Sequence, residues 1–243
     1  KTIMSWFTKW FDSPYYHTLY KNRDVKEAQI FIDNLIDFLG IPKGSKLIDI
    51  ACGKGRHAKY FNKKGMNVVG IDLSLNSIST AKKDENRNLI FSVHDMRESY
   101  HKNTFDVVTN LFTSFGYFDD NKDEQKAINA MASNLKKKGL LIIDFMNVKK
   151  VIANLVLNEK KKIDYIQFDI TRQLKKGYIL KDIHITDQEE QLQFQEKVKA
   201  ITLAEYSEFI TNAGLKIINI FGNYKLDNFD ETISDRLILI CKK

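Results

Sequence analysis

Two cysteines and two prolines are all that this chain of 243 residues contains. Cys52 and Cys241 cannot build a disulfide framework, and they supply no cysteine cluster for a metal ion. The expectation is a reducing compartment, the cytoplasm, and no metal. No apolar run approaches the ~20 residues that a membrane-spanning helix needs. The opening residues also lack the apolar core of a signal peptide. No Ser-His-Asp arrangement stands at a diagnostic spacing. Acidic residues are in the minority: the net charge is +7, mostly from lysine, with runs at Lys136-Lys137-Lys138 and Lys160-Lys161-Lys162. Such runs solvate a surface or dock a nucleic acid. Without a zinc finger, an RNA-recognition signature or a basic helix, a nucleic-acid partner is not expected.

Lys46 to Phe61, KLIDIACGKGRHAKYF, carries the most information. An apolar strand with one acid, Asp49, runs into a small-residue turn, Ala51-Cys52-Gly53-Lys54-Gly55. A helix pattern with Ala58, Tyr60 and Phe61 follows. A second apolar run, Asn67 to Ile71, ends in Asp72. Glycines let a backbone approach a ligand closely, and a helix start offers free N–H groups. An acid ending the second strand suits the two hydroxyls of a ribose. The pattern therefore points to a nucleoside-containing cofactor.

Gly53-Lys54-Gly55-Arg56-His57-Ala58 also fits the G-x-G-x-x-G/A turn of dinucleotide-binding proteins. Asp49 argues against a dinucleotide, because a carboxylate there would repel a pyrophosphate. The sulfonium and ammonium of S-adenosylmethionine would be attracted. Asp49-x-Ala51-Cys52-Gly53-x-Gly55 followed by Gly70-Ile71-Asp72-Leu73-Ser74 resembles the first two motifs of class I S-adenosylmethionine-dependent methyltransferases. Ala51 departs from the glycine that many members carry.

The remaining pattern is strand-helix alternation with continuous apolar strands, as in a parallel sheet covered on both faces. Strands are expected at Leu89 to Val93, Phe105 to Asn110 and Leu140 to Phe145, then at Lys216 to Phe221 and Ile233 to Cys241. The helix before the fifth strand is expected to stop at Lys137-Lys138-Gly139. Between the fifth strand and a helix from Thr202 to Ala213 lie a short helix and three alternating segments, read as a three-stranded antiparallel insert. The first 20 residues are rich in aromatics. Trp6, Phe7, Trp10 and Phe11 share one helical face, and the segment reads either as a lid or as simple packing. The expected organisation is an N-terminal cap over residues 1–45, a core over 46–147 and 201–243, and a helix plus insert over 148–200.

The run from Phe105 to Phe118 and the ending from Phe221 to Leu239 are similar to the small-molecule branch of that class. The resemblance implies a doubly wound, seven-stranded α/β sheet, mostly parallel with its last strand antiparallel, and an insert over the active site. It implies cofactor contacts from Asp49, Ala51, Cys52, Gly53, Gly55, Asp72, Leu73, Asn110, Leu111 and Tyr16. Asp95 and Met96 would serve the adenine. No proline follows Asn110, which sets the chain apart from methyltransferases of base amino groups. Tyr117 and Tyr20 are the candidate catalytic residues. Phe112 and Phe115 are candidate acceptor contacts; Arg172, Lys181 and Glu196 fall in phase with the insert's apolar face and either pair with one another or, as Arg172 and Glu196 are taken here, contact the acceptor.

The reading is methyl transfer to a small-molecule acceptor by in-line displacement. An RNA or protein methyltransferase, a nicotinamide-dependent oxidoreductase and a non-catalytic cofactor-binding protein remain as alternatives. The acceptor and the oligomeric state stay open.

Overall fold

A computed structural model describes residues 6–20 and 25–243, without the side chains of residues 6–8 and 121. The Trp6 and Phe7 rings of the aromatic face therefore lie outside the described residues. The chain divides into two compact units, residues 24–150 with 201–243, and residues 1–23 with 151–200. The helix over residues 25–39 thus groups with the large sheet.

In the larger unit, helix α3 (Val25–Leu39) precedes β1 (Lys46–Ile50), α4 (Arg56–Lys63), β2 (Asn67–Asp72), α5 (Leu75–Ala81) and β3 (Leu89–Val93). β4 (Phe105–Asn110), α6 (Asn121–Asn134) and β5 (Leu135–Met146) follow, then the first half of α7 (Val148–Ala153), whose residues from 151 on fall in the smaller unit. The unit closes with α8 (Leu203–Asn212), β10 (Lys216–Phe221) and β11 (Arg236–Lys242). The seven strands run in the order β10-β11-β5-β4-β1-β2-β3. β11 is antiparallel to both neighbours, whereas the other pairs are parallel. The doubly wound α/β sheet expected from the sequence is the fold.

Its apolar runs form strands because both faces are covered. Leu47, Ile48, Val107, Val108, Ile142, Ile143, Leu239 and Ile240 are all buried, and each such side chain contributes roughly 1.5–3 kcal/mol. Strand order reverses between β1 and β4, which places a crevice at the carboxyl ends of those two strands.

Two boundaries differ from the sequence expectation. α6 ends at Asn134, and the lysine run that was expected to stop it belongs to β5. The β4–β5 register shifts between Phe105 and Val107, so this segment bulges, with Lys138 at φ 68°. Lys243 replaces the expected stop by donating from Nζ to the carbonyls of Ala132 and Leu135, both at 2.8 Å. A cation at a helix C-terminus satisfies orphan carbonyls and suits the dipole. The last strand begins at Arg236 instead of Ile233, because the Asp230 carboxylate accepts the amides of Thr232 and Ile233 and fixes a turn there.

The smaller unit holds α1 (Trp6–Phe11), α2 (Pro14–Leu19), β6 (Asn158–Ile163), β7 (Ile166–Lys175), β8 (Tyr178–Asp187) and β9 (Glu190–Lys199). Ser13 caps α2 by accepting the Tyr15 amide, with Pro14 at the first helical position. The sheet is antiparallel in the order β6-β7-β8-β9, with four strands and not three. β6 reads NEKKKI and has almost no apolar alternation, so it escaped the sequence pattern. Lysines suit an edge strand, where they oppose pairing with another chain. Trp10 and Leu19 pack on Ile166, Phe168, Ile170, Ile183 and Ile185. The described N-terminal aromatics therefore cover this sheet: the Trp10 ring lies 4.8 Å from that of Phe194 and 5.6 Å from that of Tyr16.

Candidate active site

The glycine turn is built as its sequence demands. Ala51, Gly53 and Gly55 all have positive φ, at 58°, 56° and 79°. Ala51 thus occupies a left-handed position that glycine would take without strain. Cys52 donates its amide to Ile71, and Gly55 donates to the Cys52 carbonyl. Gly55 leads directly into α4. A Cβ on Gly55 would stand 2.6 Å from the Phe91 ring, and one on Gly70 would stand 2.5 Å from it. A Cβ on Gly53 would meet no atom within 4 Å. The open side of the turn is therefore at Gly53.

Three acids behave differently around this turn. Asp72, ending β2, accepts the Gly53 amide on Oδ2 and the Ser74 amide on Oδ1, both at 2.8 Å. Two backbone donors thus aim its carboxylate, and Leu73 beside it stays 39% exposed. Asp49 is 1% exposed. Its Oδ1 accepts the Thr109 hydroxyl at 2.8 Å, while its Oδ2 has no partner among the described residues. Burial pushes this carboxyl up to about 7, against the Thr109 hydrogen bond and the pull of the Ala58 amide, and the nearby Asp72 charge adds to the rise. Asp95 is gripped by Arg97, whose Nε and Nη2 donate to it, and Arg97 Nη1 reaches Asp123 of α6 at 2.8 Å. Burial raises the Asp95 carboxyl, but Arg97 outweighs it and holds the carboxyl below its usual range.

Asn110 ends β4 with no exposure. Its Nδ2 donates to the Ile50 carbonyl at 3.1 Å, and its Oδ1 is a second buried acceptor without a described partner. Leu111 is buried beside it. Phe112 and Thr113 then form a turn of two consecutive left-handed residues, each at φ 59°. The Phe112 ring stacks on Tyr224 at 5.1 Å and lies 4.7 Å from the His57 ring. The Arg56 guanidinium sits 4.5 Å over its face. Tyr117 donates its hydroxyl to the Thr113 carbonyl at 2.8 Å. Phe115 is fully buried, packed on Phe118 and Tyr206. Met96 lies half-buried in the loop after β3.

The other sequence candidates belong to the smaller unit. Glu196 accepts Trp10 Nε1 at 2.7 Å and the Tyr20 hydroxyl at 2.7 Å, with Lys181 Nζ at 3.4 Å. Lys181 also donates to Tyr20. Lys181 and Glu196 are directly opposed across β8 and β9. Arg172 bonds Glu159 and the Val156 carbonyl. The charges that the sequence put in phase with an apolar face are therefore partnered inside this unit. Tyr16 packs between Trp10, Phe11, His17 and Tyr20.

Sequence reasoning passed over Thr109, Arg97 and Asp144. Asp144 had a usable signal: an acid inside an apolar strand, LLIIDF, as Asp49 is inside KLIDI. It is fully buried and meets Phe112, Tyr224 and Arg236.

Comparison with known proteins decides the class. A family model described as a methyltransferase domain matches residues 47–139, the span from β1 to the middle of β5. Residues 47–139 thus form a methyltransferase domain, and the protein is an S-adenosylmethionine-dependent methyltransferase. The methyltransferase is 26% identical, over 74% of its length and 79% of the relative's, to a dTDP-3-amino-3,4,6-trideoxy-alpha-D-glucopyranose N,N-dimethyltransferase of Streptomyces venezuelae. It shares its fold with an S-adenosylmethionine-dependent methyltransferase of Clostridium acetobutylicum, at TM-score 0.79 and 19% identity over 94% of this chain and 95% of that one. A second solved structure is an amino pentose methyltransferase of Micromonospora echinaspora with the methyl donor bound. It aligns at TM-score 0.70 and 18% identity over 95% of this chain and 97% of that one.

The residues fit that donor. Two buried acceptors with unfilled oxygens, Asp49 and Asn110, stand on adjacent strands at the switch in strand order, beside the open face of Gly53. Among the described residues, no helix is long and apolar enough to cross a membrane.

Proposed function

We propose that the methyltransferase acts on the amino group of a small molecule, an amino sugar or a close analogue. The observation that carries the site assignment is the pair of unfilled buried oxygens on Asp49 and Asn110 beside the glycine turn. Asp49 and Asn110 would face the cationic methionine end, Gly53 and Gly55 the close approach, and Asp72 the ribose hydroxyls. Asp95, held rigid by Arg97, would serve the adenine edge together with Met96. The acceptor class rests on the likeness to the Streptomyces venezuelae amino-sugar enzyme over three quarters of the chain. The lysine-rich surface is then a solvated face and not a nucleic-acid dock. The two buried thiols Cys52 and Cys241, neither in a disulfide, suit a cytoplasmic protein.

The bound donor supplies a methyl group on a sulfonium. An amine lone pair would take that methyl in a new C–N bond, the C–S pair would return to sulfur, and the ammonium proton would leave to solvent. An amine with a free lone pair needs no base before attack, so alignment provides the rate. Thr109 keeps the Asp49 carboxylate oriented, and burial strengthens its attraction for a cation.

The test uses methyl-labelled S-adenosylmethionine with a panel of nucleotide-linked and free amino sugars, followed by release of S-adenosylhomocysteine. Dimethylamine products are expected. Label entering RNA or protein while all amines stay unmodified would replace this reading by the macromolecular one.

A further inference from the structure

Two consecutive non-glycine residues in the left-handed region are costly, and such strain persists only where neighbours over-determine it. Phe112 and Thr113 are held on every polar atom for which a partner is described. The Phe112 amide donates to Asp144 Oδ2 at 2.8 Å, and the Thr113 amide to the Asp144 carbonyl at 2.9 Å. The Thr113 hydroxyl accepts from Arg236 Nη2 at 2.9 Å, and its carbonyl from Tyr117. Arg236 Nε closes the set on Asp144 Oδ1 at 2.8 Å, and the Tyr224 hydroxyl reaches Oδ2 at 3.1 Å.

A buried ion pair of this kind gains little stability over an apolar pair, because both ions lose their water. Its effect is geometric. The turn follows Asn110 directly, and it holds the Phe112 ring against Arg56 and His57, the first two residues of the helix that the glycine turn opens. The network therefore links β5 and β11 to both walls of the crevice.

We propose that Asp144 and Arg236 are positioning residues of the methyl-transfer site, which act by locking the Phe112–Thr113 turn so that Asn110 and the start of α4 stand in binding geometry. The inference rests on the crevice at Asp49, Asn110 and Gly53 being the donor site.

The test is calorimetric binding of S-adenosylhomocysteine to four variants, each checked for folding by its thermal midpoint and far-ultraviolet dichroism. Arg236→Lys keeps the charge on Asp144 but loses the second donor to Thr113. Thr113→Val loses only the hydroxyl. Both are expected to bind at least threefold more weakly than the parent while remaining folded, with faster amide exchange at Phe112 and Thr113. Glycine takes the left-handed region unaided. Thr113→Gly is therefore expected to bind within about twofold of the parent, and Arg236→Lys with Thr113→Gly to recover that affinity. A role in stability alone predicts no such recovery. Parent-like affinity in both Arg236→Lys and Thr113→Val overturns the inference and leaves the donor site standing. So does a double variant no better than Arg236→Lys. An unsubstituted protein that fails to bind S-adenosylhomocysteine overturns the donor site itself, and the inference with it.

Discussion

The backbone amide of Gly53 donates to Oδ2 of Asp72 across 2.8 Å, tying the turn after the first strand to the acid that ends the second. Two motifs separated in sequence are thus one object. Asp72→Ala removes the proposed ribose partner and also the acceptor that fixes Gly53. Charge-assisted hydrogen bonds contribute roughly 1.5–3 kcal/mol, so affinity for S-adenosylhomocysteine is expected to fall about ten- to a hundredfold. Calorimetry on the folded variant checks this, and unchanged binding removes Asp72 from the site.

Asp49 gives the site a pH dependence whose sign follows from its environment. Burial raises its carboxyl to about 7 in the folded protein, far above the unfolded value. The folded state therefore holds the proton more tightly, and the stability linked to this group declines as pH rises toward and through about 7. Asp49→Asn is expected to flatten that decline and to be more stable than the parent at pH 8. A sulfonium bound beside Asp49, as proposed, would favour the ionised form. The affinity ratio of S-adenosylmethionine to S-adenosylhomocysteine is thus expected to rise between pH 6 and pH 8 in the parent only. A ratio that does not move with pH assigns Asp49 to the ammonium or to structure.

Ala51 carries a Cβ in a left-handed conformation, at φ 58°. Relief of that strain, about 1–2 kcal/mol, is partly offset by the greater freedom of glycine in the unfolded chain. Ala51→Gly is expected to gain up to about 1 kcal/mol in denaturant unfolding with S-adenosylhomocysteine binding intact. A loss of stability would mean that the Ala51 methyl packs more tightly than its backbone is strained.

Phe91 fills the space that Gly55 and Gly70 leave open. Gly70→Ala is expected to destabilise by about 1–3 kcal/mol through overpacking. Pairing it with Phe91→Leu should return part of that loss, as contacting sites couple. Strict additivity in chemical denaturation would show that the two residues do not compete for the same volume.

Legibility in the sequence tracked the range of the interaction. The parallel strands, the glycine turn and the helix start at Thr202 depend on residues a few positions apart, and each shows as a local pattern. The lysine-rich β6 was hidden because an edge strand is held by backbone pairing with β7, which needs no apolar side chains. Asp144 and Arg236 are 92 residues apart and meet only through the β5–β11 register. Arg172, Lys181 and Glu196 all read in phase with the apolar face, and the pattern left open whether they pair or line a pocket; only the folded sheet shows Lys181 with Glu196 and Glu159 with Arg172. Tyr117 was legible as a polar aromatic near the fourth strand, and its commitment to the Thr113 carbonyl was not.

The packing of Trp10 and Leu19 on the four-stranded sheet has a consequence for protein engineering. Residues 151–200 look like a self-contained cassette, ready to be exchanged between related enzymes. They are half of one. Transplanted alone, they would display Phe168, Ile170, Ile183 and Ile185 to water and leave Glu196 without its indole and phenol donors. Such an exposed apolar patch invites aggregation. A working chimera has to carry residues 6–20 in the same transfer, so the unit of exchange is a split module whose two pieces lie more than a hundred positions apart in the gene.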